Sequence, residues 1–301
     1  MKNFTLFLIA FQLFTITVFA QEKFYVYQKD GTYTEFYTLN VDSISFMQDV
    51  VPYTPGEDED DMSFKLFSIN PVHKVVFSSG NLQYHPVKKE YRFAPNQTDY
   101  IGNDNANINA TYDGWIDLFG WGTGCNPTNA STYYNDYSTF NDWGLNKIGD
   151  NESNTWRTPT YDEWYYLVMA RENASNLMGI AQVNNVNGLV LLPDEWECPE
   201  NVAFKTGFVD YNDPSGYANY QVISESDWQK LEESGAIFLP AAGYRNGVKV
   251  SGVQFFGRYW AAYWHYKTSA SVLEINSARA EMCGTYCFDG ESVRLISTAT
   301  Y

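Results

Sequence analysis

The long stretch between Gln97 and Trp156 limits the folds that this chain can adopt, because its apolar residues follow neither helical spacing nor strand alternation. It is rich in Asn, Asp, Thr, Gly and Tyr, with scattered Trp. Loops of this length are usually functional or are packed by their own aromatic side chains. The stretch therefore predicts a domain with long irregular loops.

Aromatic side chains are unusually frequent, with 24 Tyr, 20 Phe and 9 Trp. Tyr and Trp bury a large flat face while keeping a polar edge in water. Such residues build cores, and they also stack on planar or sugar-like ligands. The excess of Tyr over Phe points to a wet binding surface in addition to a core.

The charge balance disfavours two classes of partner. The chain has 36 acidic against 19 basic side chains, a formal net charge of -17. Such a surface repels the phosphates of nucleic acids, so the sequence predicts no nucleic-acid partner. It also repels an anionic membrane surface, and an acidic surface mainly favours solubility.

Residues 1–20 have the features of a secretory signal peptide. Lys2 precedes an apolar run over residues 4–19, and Ala20 ends the segment. The run is short of the ~20 apolar residues that a membrane span needs, and no basic stop-transfer patch follows. The sequence therefore predicts an exported protein at the cell surface or outside the cell, with the periplasm as the alternative, and no membrane-spanning segment after signal removal.

A small β-strand unit is predicted over residues 21–47. Two β-rich runs, at 24–27 and 33–39, flank a Lys-Asp-Gly turn, and residues 41–46 alternate like a third short strand. Two or three strands alone are marginally stable in water. The unit is therefore expected to lean on another structure or to act as an adaptor.

An acidic linker is predicted over residues 48–63, ahead of a main domain at 64–301. Prolines and a glycine break regular structure there, and residues 57–61 are all acidic. Adjacent like charges repel and stay solvated. A calcium loop is the alternative, but the run lacks the glycine turn and ligand spacing of a known calcium loop.

Two helices are predicted in the main domain. Thr160 caps the first, and Glu163 completes a capping box. Ser224 caps the second, with Asp227 at the corresponding position, and Gly235 ends it. The side chains expected to face the core are those of Trp164, Leu167, Val168, Trp228 and Leu231.

Short β-rich runs make up most of the remaining pattern. Residues 188–192 and 236–240 are apolar and are each followed or closed by a proline, as interior strands often are. Further strands are predicted at 74–78, 81–84, 90–94, 259–264, 272–275 and 292–296. Few helices, many short strands and long loops indicate the α+β class.

Six strings of the main domain resemble the Fibrobacter succinogenes major paralogous domain family, a group of exported proteins of gut-type Gram-negative bacteria. The match spans residues 72–298 with the motif order intact. The strings are VFSSGNLQY at 76–84, DLFGWGTG at 117–124, WRTPTYDEW at 156–164, LLPDEW at 191–196, FLPAAGYR at 238–245 and GESVRLI at 290–296.

That family looks related to the C-type-lectin-like fold, in the branch that contains formylglycine-generating enzymes. The resemblance implies a C-type-lectin-like domain with two helices, a twisted antiparallel sheet and long irregular loops. Fold alone does not give function, so activity must be argued from a site.

An oxidase of the formylglycine-generating kind is the weakest functional reading. Those enzymes use a cysteine pair near the C-terminus that holds copper. Cys283 and Cys287 lie in a similar region, but their spacing is shorter and their surroundings do not match. Exported proteins form disulfides, so a loop disulfide between these two is the candidate pairing, with buried thiols as the alternative. No histidine array or serine nucleophile elbow occurs, and we expect no catalytic residues.

Metal binding is also a weak expectation. Calcium-dependent lectins carry Glu-Pro-Asn or Gln-Pro-Asp and Trp-Asn-Asp motifs, and the sequence has neither. Loop carboxylates remain as weak calcium ligands, namely Asp104, Asp113 and Asp117. No other cofactor is predicted.

The best candidate ligand surface lies in the last third of the chain. Residues 259–266 alternate as a strand, with Trp260 and Trp264 on one face and Tyr259, Tyr263 and His265 on the other. One face should be core, and the other is expected beside further aromatic and basic residues. The candidate ligand-binding residues are Tyr244, Arg245, Tyr263, His265, Arg279 and Tyr286.

These observations favour a non-catalytic surface binding module that recognises a glycan or a surface protein through aromatic C-terminal loops. The alternative is a structural or tip component of a cell-surface assembly, which the adaptor-like N-terminal unit would mount. An exposed cluster of Tyr, Arg and His suits sugars and protein partners alike.

Overall fold

The computed structural model describes residues 23–27, 33–37, 65–266 and 268–298. It describes Trp264 and His265 by their backbone alone. The chain divides into two compact units, Met1–Gln48 and Asp49–Tyr301. The predicted signal peptide, the predicted third strand at 41–46 and the whole of the predicted linker lie outside the described residues.

The first unit contains a pair of antiparallel strands. Strand β1, Lys23–Tyr27, pairs with β2, Tyr33–Tyr37, in a register that sets Lys23 opposite Tyr37 and Tyr27 opposite Tyr33. Both predicted strands are therefore present, and residues 38–39 of the second predicted run lie outside the described residues. The predicted turn between them lies outside the described residues.

The second unit is mixed α+β and rich in sheet, as predicted from the few helices and many short strands in the sequence pattern. Its strands are β3 Phe67–Ser68, β4 Lys74–Phe77, β5 Leu82–His85, β6 Glu90–Phe93, β7 Met178–Val183, β8 Val186–Leu191, β9 Val222–Ile223, β10 Ile237–Pro240, β11 Tyr244–Asn246, β12 Lys249–Ser251, β13 Phe256–Tyr266, β14 Ser269–Asn276, β15 Arg279–Tyr286, β16 Asp289–Gly290 and β17 Ile296–Thr298. No helix among the described residues is long and apolar enough to cross a bilayer.

These strands form several small sheets in place of one continuous sheet. Their orders are β10-β8-β7-β9, β12-β11-β16, β13-β14-β15, β17-β4-β3 and β5-β6. The paired strands run antiparallel except for β7 and β9, which are parallel. The predicted antiparallel character is thus confirmed for most pairs, while the single twisted sheet is replaced by separate short ones.

Both predicted helices are present with their predicted caps. Helix α1, Tyr161–Tyr165, begins at a capping box between Thr160 and Glu163, and a π-helical turn over Tyr166–Ala170 continues it. The inward residues Trp164, Leu167 and Val168 are buried. The spacing of apolar residues in the sequence does not predict the π-helical turn.

Two more helical segments follow later in the chain. Helix α2, Ser215–Tyr220, was not predicted. Helix α3, Glu225–Glu233, begins at Ser224, whose hydroxyl accepts from the Asp227 amide. Gly235 adopts a φ of 95°, which suits glycine and ends the helix as predicted. Shorter 3-10 turns occur at Gly102–Asn107, Tyr134–Tyr137, Trp143–Leu145 and Ala174–Asn176.

The sheet β10-β8-β7-β9 is buried on both faces, as the apolar runs at 188–192 and 236–240 predicted. On one face, Ile180, Leu189 and Leu239 join the core beneath α1. On the other face, Val190 and Phe238 pack against α3. The sequence of a strand that is buried on both faces is a continuous apolar run, because neither face contacts water.

Strand β13 is buried on both faces over residues 259–261, whereas the sequence predicted one core face and one face beside further aromatic and basic residues. Tyr259, Trp260 and Ala261 are all fully buried. Tyr259 belongs to the core around Trp164, whereas Trp260 belongs to a second core around Trp143. The register with β14 shifts beyond Trp260, so the strand leaves the core only after Ala261.

The predicted strand at 292–296 is shifted toward the C-terminus, since β17 begins at Ile296. Residues 291 and 292 each form one isolated β-bridge, and the two bridges join different segments. Glu291 bridges Phe119, and Ser292 bridges Tyr259. The chain is extended there, as its composition indicates, but it changes partner too often to form one strand.

A buried ion pair ties α1 to the start of the domain. The Arg171 guanidinium donates to Asp194 at 3.1 Å and to the carbonyl of Leu167 at 2.8 Å. The Asp194 carboxylate also accepts from the amide of Ser68 at 3.0 Å. The side chain of Glu195, its sequence neighbour, is 65% exposed and forms an ion pair with Lys74 at 3.2 Å.

We expect Asp194→Ala to lower the free energy of unfolding by about 3 kcal/mol, because it leaves the Arg171 charge buried without its carboxylate. Glu195→Ala is the matched control and should cost less than about 1 kcal/mol, since exposed ion pairs contribute little. Urea unfolding followed by tryptophan fluorescence measures both. Equal losses in the two variants would contradict this role for Asp194.

Candidate functional site

The segment from Asp289 to Ser292 joins two of the small sheets. Gly290 pairs with Arg245 of β11 on one side. On the other side, Ser292 donates its amide to the carbonyl of Arg258 in β13. A Cβ at position 290 would lie 2.7 Å from the Arg245 guanidinium and 2.8 Å from the carbonyl of Leu118, so this close approach requires glycine.

An open groove of about 410 Å³ lies along this junction. Its walls come from β11, β13, β15, β16, the start of β14 and Thr268 just before it. The lining residues are Tyr244, Asn246, Arg258, Thr268, Ser269, Gly284, Thr285, Tyr286 and Asp289. Two of them, Tyr244 and Tyr286, are residues that the sequence predicted to bind ligand.

Two aromatic side chains flank the groove, and each is braced by a second ring. Tyr286 is 56% exposed and stacks on Phe288, with ring centroids 4.9 Å apart and an 8° interplanar angle. Tyr244 is half-buried and stacks on Phe256 at 5.7 Å. A ring that stacks on a second ring is already held in one orientation. A ligand that binds to its free face therefore costs little side-chain conformational entropy.

Polar side chains between the two rings are held by one another. The Arg258 guanidinium donates to Glu274 at 2.7 Å and lies 5.2 Å from the centre of the Tyr244 ring. The Asn246 amide donates to Asp289 at 2.7 Å. The Thr285 hydroxyl lies 3.0 Å from the same carboxylate. Fixed polar groups beside apolar walls are the usual composition of a ligand site.

Two carboxyl groups have perturbed acidity here, that of Asp289, which lines the groove, and that of Glu291, which is fully buried and is not part of the lining. Burial raises the pKa of Glu291 well above its ordinary value, and Arg258 at 3.6 Å offsets part of this effect. Burial also raises the pKa of Asp289, while hydrogen bonds from Asn246 and Thr285 oppose the rise. Perturbed carboxyl groups at a concave surface are typical of functional sites.

A second concavity, of about 430 Å³, lies near Gln97 and Glu232. Its central amide has no spare hydrogen-bonding capacity. The Gln97 carbonyl accepts from Arg294 and from the amide of Phe238, and its NH₂ group donates to Glu232 and to the carbonyl of Ala236. We therefore regard the groove between Tyr244 and Tyr286 as the stronger candidate site.

Arg245 is not a ligand-binding residue, contrary to the sequence prediction. It is fully buried, and its guanidinium donates to the carbonyls of Leu118 and Gly247. Adjacent residues of a strand point to opposite faces. Tyr244 therefore faces the groove, while Arg245 supports β16 from beneath.

The other predicted ligand residues do not join the groove. Arg279 and Tyr286 are the two ends of β15, about 24 Å apart at the usual strand rise. Arg279 is engaged with Glu281 at 2.6 Å. Tyr263 is 52% exposed and lies beside Tyr161, with ring centroids 5.8 Å apart, in a different patch. His265 lies in β13, and its side chain is outside the described atoms.

The three candidate calcium ligands do not converge. Asp117 is fully buried, and its carboxylate accepts from the Asn105 side chain at 2.7 Å and from the Ile101 amide at 2.8 Å. Burial raises its pKa to about 6. Asp113 instead lies 3.5 Å from His85, and Asp104 is exposed on a 3-10 turn. Within residues 65–266 and 268–298, no group of three metal-ligating side chains is formed.

The predicted disulfide between Cys283 and Cys287 is not present, and all four cysteines are free thiols. Cys283 lies within β15, and Cys287 directly follows the strand, so their Cα atoms are about 13 Å apart at the usual strand rise. A disulfide needs Cα atoms within about 7 Å. The two thiols also face different neighbours, Glu274 and the carbonyl of Tyr134.

Several groove residues were not found from the sequence, namely Asn246, Arg258, Thr268, Ser269, Thr285 and Asp289. Each is an ordinary polar residue in a strand or turn, so no motif marks it. The alternation of polar residues in β15 and the Asp-Gly-Glu string at 289–291 were the available signals, but they do not reveal which strands meet.

No protein-family model, curated protein or solved structure matches this chain. The candidate site therefore rests on the geometry of the groove and on the residues that line it.

The state of the cysteines gives a direct check of this region. Under native, non-reducing conditions, a thiol reagent should label the exposed Cys125 and Cys198 first. Cys283 and Cys287 should react slowly, because burial raises the pKa of their thiols to about 12 and about 11 and depletes the reactive thiolate. Peptide mass spectrometry before and after unfolding measures this order. A disulfide-linked peptide containing both residues would contradict the structure.

Proposed function

We propose that this protein is a non-catalytic, exported binding module that holds a glycan in the groove between Tyr244 and Tyr286. The observation that carries the proposal is the pairing of two braced aromatic rings with fixed amide, hydroxyl and charged groups. Sugars combine apolar C–H faces with hydroxyl groups, so they need both kinds of contact. The groove offers both within one concave surface.

The mixed α+β architecture is compatible with a C-type-lectin-like domain, which remains part of the proposal. Membership of the Fibrobacter succinogenes major paralogous domain family is also part of the proposal. Export directed by the N-terminal segment is a third part. The groove uses the part of the chain whose loops form the ligand face in lectin-like folds. Its polar residues would replace the calcium-binding motifs that the sequence lacks.

An oxidase function is the weakest alternative on physical grounds. A metal-binding cysteine pair must have both thiols deprotonated and aimed at a common point. Cys283 and Cys287 face different neighbours, and burial raises the pKa of both thiols. Neither feature favours copper chemistry at these residues.

A surface-assembly role is the second candidate, and one observation favours it. Tyr161, Tyr165 and Tyr263 form a row of rings, with Tyr161 and Tyr165 parallel to within 7°. Tyr165 and Tyr263 are both about half exposed, and Met169 beside them is exposed as well. Aromatic residues of this kind are enriched at protein interfaces.

A glycan array, followed by calorimetry on the oligosaccharides that bind, tests the proposal. Tyr286→Ala should weaken binding at least about tenfold, the equivalent of ~1.4 kcal/mol for a lost central aromatic contact. Asn246→Ala should weaken it similarly, because it also releases the Asp289 carboxylate.

Tyr263→Ala is the matched control, since it removes an equally exposed tyrosine outside the groove. Its affinity for glycans should stay within about twofold of the wild type. Loss of binding in Tyr263→Ala alone would move the site to the tyrosine row. An array with no binding, together with a stable protein partner lost in Tyr263→Ala, would favour the assembly role instead.

A further inference from the structure

Strand β15 is the outer strand of the sheet β13-β14-β15, so one of its edges is not paired within that sheet. Natural proteins usually protect an edge strand by keeping it short or by placing lysine, proline or a bulge in it. β15 has eight residues, pairs with β14 without a bulge and contains neither lysine nor proline. Its two charged residues, Arg279 and Glu281, lie at its start and form an ion pair with each other at 2.6 Å. The edge is therefore long, regular and unprotected.

The register with β14 identifies the backbone groups of β15 that face this edge. Asn276 and Arg279 flank a two-residue turn, so they form a hydrogen-bonded pair, and such pairs recur at every second residue. The amide of Cys287 donates to the carbonyl of Thr268, which agrees with this alternation. The residues between these pairs direct their N–H and C=O groups away from β14. We call them the outward residues, and they are Ala280, Met282, Gly284 and Tyr286.

The backbone groups of the outward residues are unpaired, and they reach the surface. None of these N–H and C=O groups is hydrogen-bonded to another segment within residues 65–266 and 268–298. Gly284 is exposed, and because glycine has no side chain, its exposed surface is backbone. A row of free donors and acceptors along an extended strand is a template for one more strand.

We propose that β15 pairs antiparallel with β15 of a second copy of this chain, about a two-fold axis beside Cys283. A two-fold interface uses the same surface on both copies. In the register centred on Cys283, Gly284 of one copy pairs with Met282 of the other, and Tyr286 pairs with Ala280. Every outward residue is then in a hydrogen-bonded pair, which gives about eight new backbone hydrogen bonds. The two three-stranded sheets become one continuous sheet.

The side chains of β15 are compatible with this register. It sets Glu281 opposite the uncharged Thr285, so no two like charges face each other across the pair. Ala280 and Gly284 are small, and each lies opposite a large side chain. A register shifted by two residues would leave one outward residue of each copy without a partner in β15. The centred register is therefore the one that uses the whole edge.

The charge of the chain gives the proposed dimer a characteristic response to salt. The formal net charge is -17, so two copies repel each other at long range. The charges of Arg279 and Glu281 cancel, so the strand itself contributes no net repulsion. Salt screens the long-range repulsion. The dimer should therefore become tighter as salt is added, whereas a complex with a basic peptide should become weaker.

The pairing also brings two copies of the candidate groove together. Gly284, Thr285 and Tyr286 line the groove and directly follow Cys283, which lies beside the axis. A ligand with repeated units then meets two linked sites, and linked sites bind such a ligand more tightly than one site does. The dimer itself does not rest on the proposed glycan function.

Sedimentation velocity of residues 21–301 from about 1 to about 100 μM tests the pairing, because the dimer fraction must rise with concentration. Gly284→Pro removes an outward N–H without removing a bond to β14, and proline is tolerated at such an edge position. This variant should raise the dissociation constant of the dimer at least about tenfold. Gly284→Ala keeps the N–H group and is the matched control, so it should stay within about threefold of the wild type.

Amide hydrogen exchange of the wild type at low and high concentration tests the same edge without a substitution. The amides of the outward residues should exchange more slowly at the higher concentration, because the second copy accepts their hydrogen bonds. The amides of Glu281, Cys283 and Thr285 are already bonded to β14 and should exchange slowly at both concentrations. This contrast between alternate residues separates edge pairing from general protection of the strand.

Oxidation of Cys283 tests the register. Opposite residues of a non-hydrogen-bonded antiparallel pair have Cα atoms about 4.5 Å apart, which is within the range of a disulfide. In a Cys125→Ser/Cys198→Ser background, oxidised glutathione should link two copies through Cys283. Each link forms one S–S bond between the copies and converts one oxidised glutathione into two reduced molecules. Burial raises the pKa of the Cys283 thiol to about 12, so alkaline buffer should speed the reaction.

The outcomes decide whether β15 pairs with a second copy. A concentration-dependent dimer that Gly284→Pro weakens, that salt strengthens and that links through Cys283 supports the proposal. A protein that stays monomeric at about 100 μM overturns it. A dimer that Gly284→Pro leaves unchanged, or whose outward amides exchange equally at both concentrations, uses another surface and also overturns it. A monomer whose outward amides are protected by a basic peptide assigns the edge to a different occupant and overturns the proposal as well.

Discussion

The burial of neighbouring residues of β13 in different cores is the constraint on which the rest of the domain depends. Tyr259 packs with Trp164 under α1, and Trp260 packs with Phe119 and Trp143 in the loop-rich core. The indole of Trp260 donates to the carbonyl of Phe119, and the Tyr259 hydroxyl donates to the carbonyl of Pro240. One strand therefore ties the irregular part of the chain to the regular sheets.

This arrangement explains why a long aperiodic stretch can be ordered. Its backbone polar groups need partners, and many find them within the stretch, on β5 and β6, or on the C-terminal segment. Asn105, for example, is fully buried, and its side chain binds Asp117 and the amide of Leu118. Aromatic residues such as Tyr137 and Trp143 then fill the space that strands would occupy elsewhere.

The groove follows from the same architecture. Residues 289–292 pair with β11 on one side and with β13 on the other, so the two sheets diverge from a common segment. The space left between them is concave. Carboxyl groups at 289 and 291 lie two residues apart on this extended segment, and both are within hydrogen-bond distance of the Thr285 hydroxyl. Asp289 lines the groove, whereas Glu291 is fully buried.

Local signals in the sequence predicted the local structure well. The capping residues Thr160 and Ser224, the helix-ending Gly235 and the doubly covered strands all depend on nearby residues or on uniform burial. The α+β class follows from them.

The candidate site was predicted only in part, because it depends on long-range pairing. Tyr244 and Tyr286 were identified as aromatic residues of C-terminal loops. Arg245 was misplaced because the sequence does not show which side of β11 faces the interior. The shift in register along β13 separated Tyr263 from the groove, and no spacing rule predicts such a shift.

Amide hydrogen exchange with and without a bound oligosaccharide tests the central claim that the groove is the ligand site. The ligand should be the oligosaccharide that binds most tightly in the calorimetry that follows the glycan array. We expect slower exchange in the peptides that contain residues 244–246, 268–269 and 284–291, with little change elsewhere. Protection confined to residues 161–169 and 263, or to the stretch between Gln97 and Trp156, would contradict it.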